Sequence, residues 1–464
     1  MSFNHDTFIS PLTWRYGTPE MRAIWSEVHK RQLMRRVWVA LATAQNQAGL
    51  VTDQQLADLK SHQDNIDIDR ALTIEKETRH DVMAEIKTFA EQATIGGGII
   101  HWGATSADIT DNVDALRLRE ASQLLLIRLK SLLIALCDRI EATANIPVMA
   151  HTHIQPAEPT TLGYRFAVYA QDLWYDWQDL NDLATHIKGK GLKGAVGTQA
   201  SYDELLADTT INAQQMESVA MDYLNLPYFL IATQTYSRQQ DIRIQQVLAR
   251  IAASLHKFAF DFRILQSPPF GEWAEPFGSK QVGSSAMPFK RNPINTENIC
   301  SLARYIAGLP AVAWDNGSQA ILERSLDDSA NRRIFQAEGF LCTDEILKRA
   351  TRIVREMRLD ETAMARNMST YGPFAATERV LMAMVKAGGS RQDGHEWIRE
   401  ASLTAWAALR DGQPNPLNDL LLADKRIRAY LDEAEIKELM RAEAHVGTAP
   451  QRARQLAQDI KSAL

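Results

Sequence analysis

At 464 residues the chain is too long for one ordinary hydrophobic core, and its length favours about three domains. Apolar residues make up 45% of the sequence and charged residues 23%, a globular composition that excludes extended disorder. The 51 basic and 57 acidic residues are well mixed and leave a net charge of −6, so we expect no broad surface for nucleic acid or membrane.

The start of the chain shows no targeting signal. Residues 1–16 lack the apolar core of a signal peptide, and no apolar run approaches the ~18 residues that span a bilayer. Cys137, Cys300 and Cys342 lie far apart without a CxxC pair, which indicates neither a disulfide framework nor a zinc site. We therefore expect a cytoplasmic protein.

Residues 1–110 are predicted to form a domain of short helices and loops, with a break at the three glycines of residues 96–98. Near its beginning, Arg15 and Tyr16 form a polar pair. The pair is either an ordinary surface feature or part of a binding site, and the residues alone leave both interpretations open.

Two further polar groups follow in this domain. In Arg79-His80-Asp81, the aspartate could orient the imidazole or simply cap a helix N-terminus. Thr105 and Ser106 come just before a long helical pattern, where free backbone N–H groups and the helix dipole bind anions. They suit a phosphate or carboxylate, and simple capping is the alternative.

Residues 111–360 are predicted to be a bundle of long helices, because apolar residues recur there at spacings of three and four. Helices this long need several neighbours to cover them, and apolar residues on more than one face indicate an oligomer built through the bundle. The predicted helices span residues 111–145, 161–188, 238–265, 293–313 and 331–359.

Between the first two of these helices lie His151 and His153. A His-x-His pair can bind a metal ion, but the usual sites need a third ligand, and no nearby Cys or HExxH motif supplies one. An uncoordinated histidine is instead a natural general acid near neutral pH, since imidazole ordinarily titrates at about 6.5.

Residues 189–194 fit the GxGxxG pattern of dinucleotide-binding sites. That motif works only between a strand and a helix, where its glycines let the backbone approach a pyrophosphate. Here a long helix precedes it and more glycine follows, so a turn between bundle helices is the favoured interpretation.

The loop at residues 267–293 interrupts the helical pattern with many Gly, Pro and Ser residues, which is typical of an active-site lid or binding loop. It combines hydroxyls that could act as base or nucleophile with cations and an amide that could hold a carboxylate: Ser284, Ser285, Lys290, Arg291 and Asn292.

Residues 324–333 contain three arginines, and arginine forks recognise phosphate and carboxylate in bidentate fashion. A solvated charged turn is the alternative. Residues 361–464 revert to shorter helices, with a break at the glycines of residues 388–389, and form the third predicted domain.

Together these groups provide a candidate base, candidate acids and anion clamps without a cofactor motif. That set suits elimination across a C–N or C–O bond beside a carboxylate. A base removes the proton alpha to the carboxylate, fixed cations and amides stabilise the enolate-like dianion, and an acid protonates the leaving atom.

The sequence GSSAMPFKRNP at residues 283–293 closely resembles the GSSxMPxKxNP motif of the fumarase/aspartase superfamily, whose members eliminate fumarate from a succinyl group. The resemblance covers essentially the whole chain. It implies an all-α fold of three helical domains, in which the long helices form a tetrameric twenty-helix core. It implies no metal or organic cofactor, and active sites to which three chains contribute.

Residue by residue, the resemblance implies that Ser284 is the base and that His153, in THIQPAEPT at residues 152–160, is the acid. Asn298 falls where some members have an arginine. The remaining implied substrate-binding residues are Arg15, Tyr16, Arg79, His80, Asp81, Thr105, Ser106, Gln234, Ser285, Lys290, Arg291, Asn292, Asn298 and, in the R-x4-S-x3-R pattern that holds phosphate, Arg324, Ser329 and Arg333.

The loop motif with its aromatic residue and KRNP ending is most similar to the superfamily branch that acts on succinyl-purine nucleotides. The expected reaction is cleavage of adenylosuccinate to AMP and fumarate, and of the succinyl-carboxamide ribotide of purine synthesis in the same pocket. Lyases of the argininosuccinate or carboxymuconate type are alternatives, but they need no phosphate clamp. A third alternative is an inactive structural relative, but the presence of both Ser284 and His153 counts against it.

Overall fold

The computed structural model describes residues 6–278 and 280–464, and these residues are mostly helical. In chain order the α-helices are α1 (Pro11–Trp14), α2 (Pro19–Ile24), α3 (Glu27–Gln47), α4 (Asp53–His62), α5 (Ile68–Thr78), α6 (Asp81–Gln92), α7 (Ser106–Thr143), α8 (Leu162–Thr185), α9 (Ala200–Leu206), α10 (Ala213–Tyr223), α11 (Gln239–Gln266), α12 (Ile294–Ser318), α13 (Asp327–Glu356), α14 (Glu361–Lys386), α15 (Arg391–Arg410), α16 (Leu417–Ala423), α17 (Lys425–Arg428), α18 (Glu433–Leu439) and α19 (Ala449–Ala463). Short 3₁₀ helices occupy Gly97–Ile99 and Ala442–Ala444.

The predicted all-α class is confirmed, and all five long helices are present, as α7, α8, α11, α12 and α13. The first begins at Ser106, earlier than the apolar pattern indicated, and the fourth continues to Ser318. The first turn of α7 is polar and the last turn of α12 contains glycine, so neither continues the apolar repeat. Apolar periodicity therefore predicts the ends of a helix less accurately than its centre.

Two short antiparallel sheets accompany the helices. Strands β1 (Pro147–Thr152) and β2 (Gln155–Thr161) form a hairpin in which Thr152 lies opposite Gln155, with an irregularity between Met149 and His151. Strands β3 (Trp273–Ala274) and β4 (Arg358–Leu359) pair in the second sheet. The hairpin was not predicted from the sequence.

The chain divides into two compact units, each with its own packed residues. The first contains the described residues up to Leu129, with Asp176–Ala253 and Ser301–Lys348. The second contains Lys130–Tyr175, Ser254–Cys300 and Arg349–Leu464.

Apolar clusters stabilise both units. In the first, Ile242, Leu309, Ala313 and Phe335 pack together. The second has a larger cluster built on α14 and the C-terminal helices, and a separate aromatic group around Trp273. Its indole stacks on Phe166 with ring centroids 5.0 Å apart and lies edge-on to Phe262 at 5.3 Å. This aromatic group holds the beginning of the loop that carries Ser284.

Among the described residues, we find no helix that combines the length and the apolar character required to cross a membrane.

Candidate active site

His153 lies at the tip of the β1–β2 hairpin. Only His153 and Ile154 connect the two strands, and both have positive φ, 54° and 62°. Positive φ at both central residues is what a two-residue type I′ turn requires, because its twist matches that of the strands. The turn presents the imidazole of His153 to solvent.

A buried charge pair anchors the hairpin below this tip. The guanidinium of Arg165 donates to the backbone oxygen of Met149 at 2.6 Å and to the carboxylate of Glu272 at 2.7 Å. Glu272 is fully buried and also accepts from Asn367 Nδ2 at 3.0 Å. Neither Arg165 nor Glu272 was predicted from the sequence. For Arg165, a charged residue among the apolar positions of a predicted helix would have been the signal.

His151 lies in the strand, in a different environment from His153. Its ring is half-buried and edge-on to Phe270, with centroids 5.0 Å apart. Burial lowers the pKa of His151 and the nearby Arg165 lowers it further. This half-buried ring is less accessible to a substrate than the exposed ring of His153, so His153 remains the candidate proton donor.

The eleven residues 283–293, which we call the flap, carry Ser284. The backbone at Gly283 comes so close to the carbonyl oxygen of Lys290 that an added Cβ would lie 2.1 Å from it. Asn292 Nδ2 donates to the oxygen of Gly283 at 2.9 Å. The two ends of the flap therefore lie against each other, and the absence of a side chain at Gly283 permits this approach.

Ser284 is half-buried inside the flap, and its Oγ accepts a hydrogen bond from the backbone N–H of Met287 at 3.1 Å. A donor aimed at this oxygen stabilises an alkoxide more than a hydroxyl, since hydrogen bonds to a charged form favour that form. The flap thus supplies one of the groups that a serine base needs.

The cationic residues of the flap remain open to solvent. Ser285, Lys290 and Arg291 are exposed. The guanidinium of Arg291 lies 5.1 Å from the ring centroid of Phe277. The backbone oxygen of Arg291 accepts a hydrogen bond from Gln266 Nε2 at 3.1 Å. The flap therefore offers two accessible positive charges close to the candidate base.

A buried glutamate joins the loop before the flap to the N-terminus of α12. The carboxylate of Glu275 accepts from the N–H and Nδ2 of Asn295 and from the N–H and Oγ1 of Thr296. This is a capping arrangement at a helix N-terminus. One turn on, Asn298 is half-buried, and its Oδ1 has no hydrogen-bond partner among the described residues. That oxygen is available to a ligand or a water.

In the first unit, the structure brings three of the predicted binding residues together. Arg333 Nη2 donates to Asp81 Oδ2 at 2.9 Å, and His80 Nδ1 lies 4.0 Å from Asp81 Oδ1. The sequence allowed Asp81 as a helix cap. Instead His80 is the N-cap of α6 and accepts from the N–H of Met83 at 3.3 Å.

Arg324 lines a cleft of about 210 Å³ in the same unit. Arg324 Nη1 donates to Asp328 Oδ1 at 2.7 Å, and Asp328 Oδ2 accepts from Arg238. Thr233 and Thr235, on either side of Gln234, also line the cleft. The guanidinium is only partly buried, so it remains accessible to an anion.

Adjacent arginines on α13 serve different purposes. Arg333 is exposed, whereas Arg332 is buried and donates to Asp241 Oδ2 at 2.7 Å and to Tyr236 Oη at 2.8 Å. Arg238 joins the same network by donating to Asp111 Oδ2 at 3.0 Å. Successive residues on a helix point about 100° apart, so only one of two adjacent arginines can face the interior. Which of them does so depends on how the helix packs in the folded chain.

Ser329 lies between Arg324 and Arg333 along the chain, in the first turn of α13. It is half-buried, and its N–H donates to the oxygen of Leu326 at 3.0 Å. Gln234 is also half-buried, and its N–H donates to the oxygen of Glu323 at 3.2 Å.

The remaining predicted residues lie at element ends. Thr105 and Ser106 are half-buried at the start of α7, where the N–H of Thr105 donates to Asp108 Oδ2 at 3.1 Å. Arg15 is exposed over the ring of Trp14, at 5.5 Å from its centroid, and is followed by the half-buried Tyr16. Arg79 is exposed at the C-terminus of α5 with φ of 54°.

One set of side chains could meet around a metal ion. Ligand atoms of Glu158, Glu378 and His445 lie within 4.8 Å of one another in the second unit. Both glutamates are exposed, and exposed carboxylates often cluster without an ion. We assign no metal to this group.

The chain matches two family models and several characterised relatives. The family model described as "Lyase" matches residues 14–308, and that described as "Adenylosuccinate lyase C-terminus" matches residues 373–456. Adenylosuccinate lyase of Schistosoma mansoni is 39% identical over 90% of this chain and 88% of its own length. That of Archaeoglobus fulgidus is 34% identical over 98% of this chain and 99% of its own.

Among solved structures, 3-carboxy-cis,cis-muconate lactonizing enzyme from Pseudomonas putida superposes with a TM-score of 0.85. The match covers 97% of this chain and 100% of that enzyme at 23% sequence identity. At that identity the likeness establishes the fold alone.

Proposed function

The chain belongs to the adenylosuccinate lyase family, and from this premise we propose that it eliminates fumarate from adenylosuccinate to give AMP. The same pocket would release fumarate from the succinyl-carboxamide ribotide (SAICAR) to give AICAR, so both steps serve purine nucleotide biosynthesis. The observation that carries the proposal is similarity to adenylosuccinate lyases along nearly the whole chain. The muconate-type and argininosuccinate-type alternatives have no comparable support.

In the proposed reaction, Ser284 removes the proton from the succinyl carbon beside the carboxylate and beta to the nitrogen. The resulting electron pair forms the C=C bond of fumarate as the C–N bond breaks, and His153 donates a proton to the leaving nitrogen. The Met287 N–H that bonds Ser284 Oγ supports this role for the serine. The exposed hairpin-tip position of His153 supports its role as the donor.

Binding residues are assigned by their charge and accessibility. Lys290 and Arg291 of the flap would neutralise the succinyl carboxylates and the dianionic intermediate, with Ser285 and Asn292 as donors. Arg324 and Arg333 would hold the phosphate with Ser329. In this structure these arginines are paired with Asp328 and Asp81, so the phosphate must compete with two carboxylates. The assigned nucleotide-contacting residues are Arg15, Tyr16, Arg79, His80, Asp81, Thr105 and Ser106. Gln234 and Asn298 are assigned to substrate binding.

We infer a homotetramer in which neighbouring chains complete each site. Large apolar side chains on the long helices support this assembly: Val168 is 46% exposed, Phe260 49% and Trp314 58%. Single exposed apolar residues are ordinary, but a series of them on bundle helices suits further helix packing. The three unpaired, buried cysteines fit a reducing compartment, and we place the enzyme in the cytoplasm.

The direct test is fumarate release by the purified protein. We expect an increase in fumarate absorbance when adenylosuccinate or the succinyl-carboxamide ribotide is added and none with argininosuccinate. Carboxymuconate, whose cycloisomerisation gives a lactone and no fumarate, should not be consumed. Turnover of argininosuccinate without turnover of either purine nucleotide would overturn the substrate assignment. No fumarate from the two purine nucleotides or argininosuccinate, together with no lactone from carboxymuconate, would overturn the enzymatic assignment itself.

A further inference from the structure

The turn that presents His153 contains a residue that its local geometry does not favour. Ile154 has φ of 62°, in the left-handed region. Positive φ is uncommon for any residue other than glycine, and for a β-branched side chain it is a true outlier. The second position of a type I′ turn is ordinarily glycine. Strain of this kind persists only where surrounding structure or function maintains it.

Burial within the chain does not explain the isoleucine. The side chain of Ile154 is 65% exposed. Its neighbour His153 accepts the same backbone conformation, but the proposed proton donation requires an imidazole at that position. Nothing in the proposed chemistry requires isoleucine at position 154, and glycine would form the same turn without strain.

Apolar side chains on the flap are exposed in the same way. Phe289 is 82% exposed and Met287 is 42% exposed, and they follow Ser284 by five and three residues. An exposed phenylalanine in a loop that carries the candidate base is suited to packing against another apolar group when the loop closes.

The proposed reaction brings these exposed groups together. Ser284 must contact the succinyl carbon that loses the proton, and His153 the nitrogen two bonds away, for both steps to occur on one substrate. The flap and the hairpin tip, and with them Phe289 and Ile154, then lie at the same substrate. Both side chains are exposed within one chain, so each is accessible to an apolar group of a neighbouring copy.

We propose that Ile154 is the apolar contact against which Phe289 of a second copy's flap closes, and that Ile154 is thereby a positioning residue for His153. This inference rests on the proposed function and its shared site. The contact offsets the strain of the left-handed isoleucine and excludes water from the reacting atoms. It also couples closure of the flap to the orientation of the acid.

Cross-linking tests the contact without depending on turnover. All three native cysteines are buried, so an engineered pair, Ile154→Cys with Phe289→Cys, can be oxidised selectively. We expect a disulfide-linked dimer on denaturing gels when the assembled enzyme is oxidised with AMP and fumarate present. The matched control pairs Ile154→Cys with Val282→Cys, which is 74% exposed just before the flap and should give no dimer. Absence of the 154–289 dimer, or equal dimer with the control, overturns the proposal.

Kinetics tests the positioning role. Ile154→Gly should leave the urea unfolding midpoint unchanged or raised, because the turn loses its strain. It should lower kcat about tenfold, the effect expected when one modest apolar interaction no longer stabilises the transition state. Ile154→Val should retain most of the activity. A glycine variant with unaltered kcat, or a valine variant as impaired as glycine, contradicts the role.

The two proposals fail in distinguishable ways. A wild-type protein that releases no fumarate contradicts the proposed function, whatever the gels show. If the wild-type protein is active but cysteines introduced at positions 154 and 289 fail to link, only the Ile154 contact is contradicted.

Discussion

The hydroxyl of Ser284, the proposed base, has its hydrogen-bond partner within the same short loop. In the flap, the Met287 N–H donates to Ser284 Oγ, and Asn292 Nδ2 donates to the oxygen of Gly283, which links the two ends of the loop. Lys290 and Arg291 add positive charge in the following residues. All of these groups belong to the flap itself, so the surroundings of the proposed base are set within one short segment.

Replacing this hydroxyl tests the assignment. Ser284→Ala should reduce kcat by about 10²–10⁴, the usual contribution of a positioned general base. Because the residue is half-buried in a loop, the unfolding midpoint should stay close to that of the wild type. Steady-state fumarate release and urea denaturation measure the two quantities. Normal turnover by the variant would assign the base to another residue.

His101 is a residue whose protonation should affect stability. Trp38 Nε1 donates to His101 Nδ1 at 3.1 Å, which requires that nitrogen to be unprotonated. Burial lowers the pKa of His101 in the folded protein, and the neighbouring Asp108 opposes this only in part. The unfolded chain therefore binds a proton more readily than the folded one as the pH falls through about 6.5.

Because the pKa of His101 is lower in the folded protein than in the unfolded chain, the stability of the fold should depend on pH. The stabilisation from neutral His101 is fully present above the unfolded pKa and is lost as the pH falls below it. Urea unfolding at pH 7.5 and 5.5 should therefore show a larger loss of stability for the wild type than for His101→Asn. Asparagine tolerates the positive φ of 71° at this position and does not titrate. Equal losses in both proteins would contradict the assigned cause.

At the scale of elements, residues 189–194 show what the GxGxxG pattern does in this chain. The buried carboxylate of Asp108, in the first turn of α7, accepts from Lys190 Nζ at 2.6 Å and from the N–H groups of Lys193 and Gly194. Gly191 has φ of 83°, and an added Cβ would lie 2.0 Å from Glu217 Oε1. The glycines allow a tight turn around internal carboxylates, as the sequence interpretation of a turn implied.

Removing the charge of Asp108 should therefore loosen this connection. Asp108→Asn leaves the fully buried Lys190 ammonium without its counter-charge, which typically costs about 3–5 kcal/mol. Chemical denaturation measures the change in free energy of unfolding. The matched control, Asp182→Asn, removes a carboxylate that is 64% exposed and should change stability by less than about 0.5 kcal/mol. Similar losses in both variants would rule out a structural role for the buried pair.

At the scale of the whole molecule, the proposed catalytic pair raises the question of which chains supply its two residues to one site. Ser284 and His153 both lie in the second unit, and each is presented on a separate projection, the flap and the hairpin tip. The proposed homotetramer resolves this by combining a hairpin from one chain with a flap from another. The division into domains 1–110, 111–360 and 361–464 stays a prediction.

Mixed assemblies test whether chains share a site. Ser284→Ala and His153→Asn should each be nearly inactive alone, and asparagine should preserve the turn because it tolerates positive φ. After dissociation and reassembly at equal ratio, random mixing should restore about a quarter of the native sites in a symmetric oligomer. Fumarate release after reassembly is the measurement, with separately treated variants as controls. No recovery in assemblies shown to be mixed would contradict shared sites.

The helical class, the five long helices and the loop that carries the flap could all be predicted from the order of residues. Helix class follows from apolar spacing, which local geometry imposes on every amphipathic helix. The flap motif could be recognised because Gly283, Ser284 and Asn292 act within one short segment. Properties that depend on residues close in the chain can be predicted in this way.

Only the folded structure shows which polar residues are buried. Only the folded structure shows that His153 lies in the turn of a hairpin. The partners of Asp108, Arg332 and Arg165 are distant in sequence, and no local pattern indicates such pairings. The hairpin was missed because the prolines at 156 and 159 obscure any strand alternation, and its turn contains isoleucine where glycine is usual. The contacts of Arg165 with Met149 and Glu272 hold the strands despite that local preference, since the free energy of the whole fold can maintain a conformation that a short segment alone disfavours.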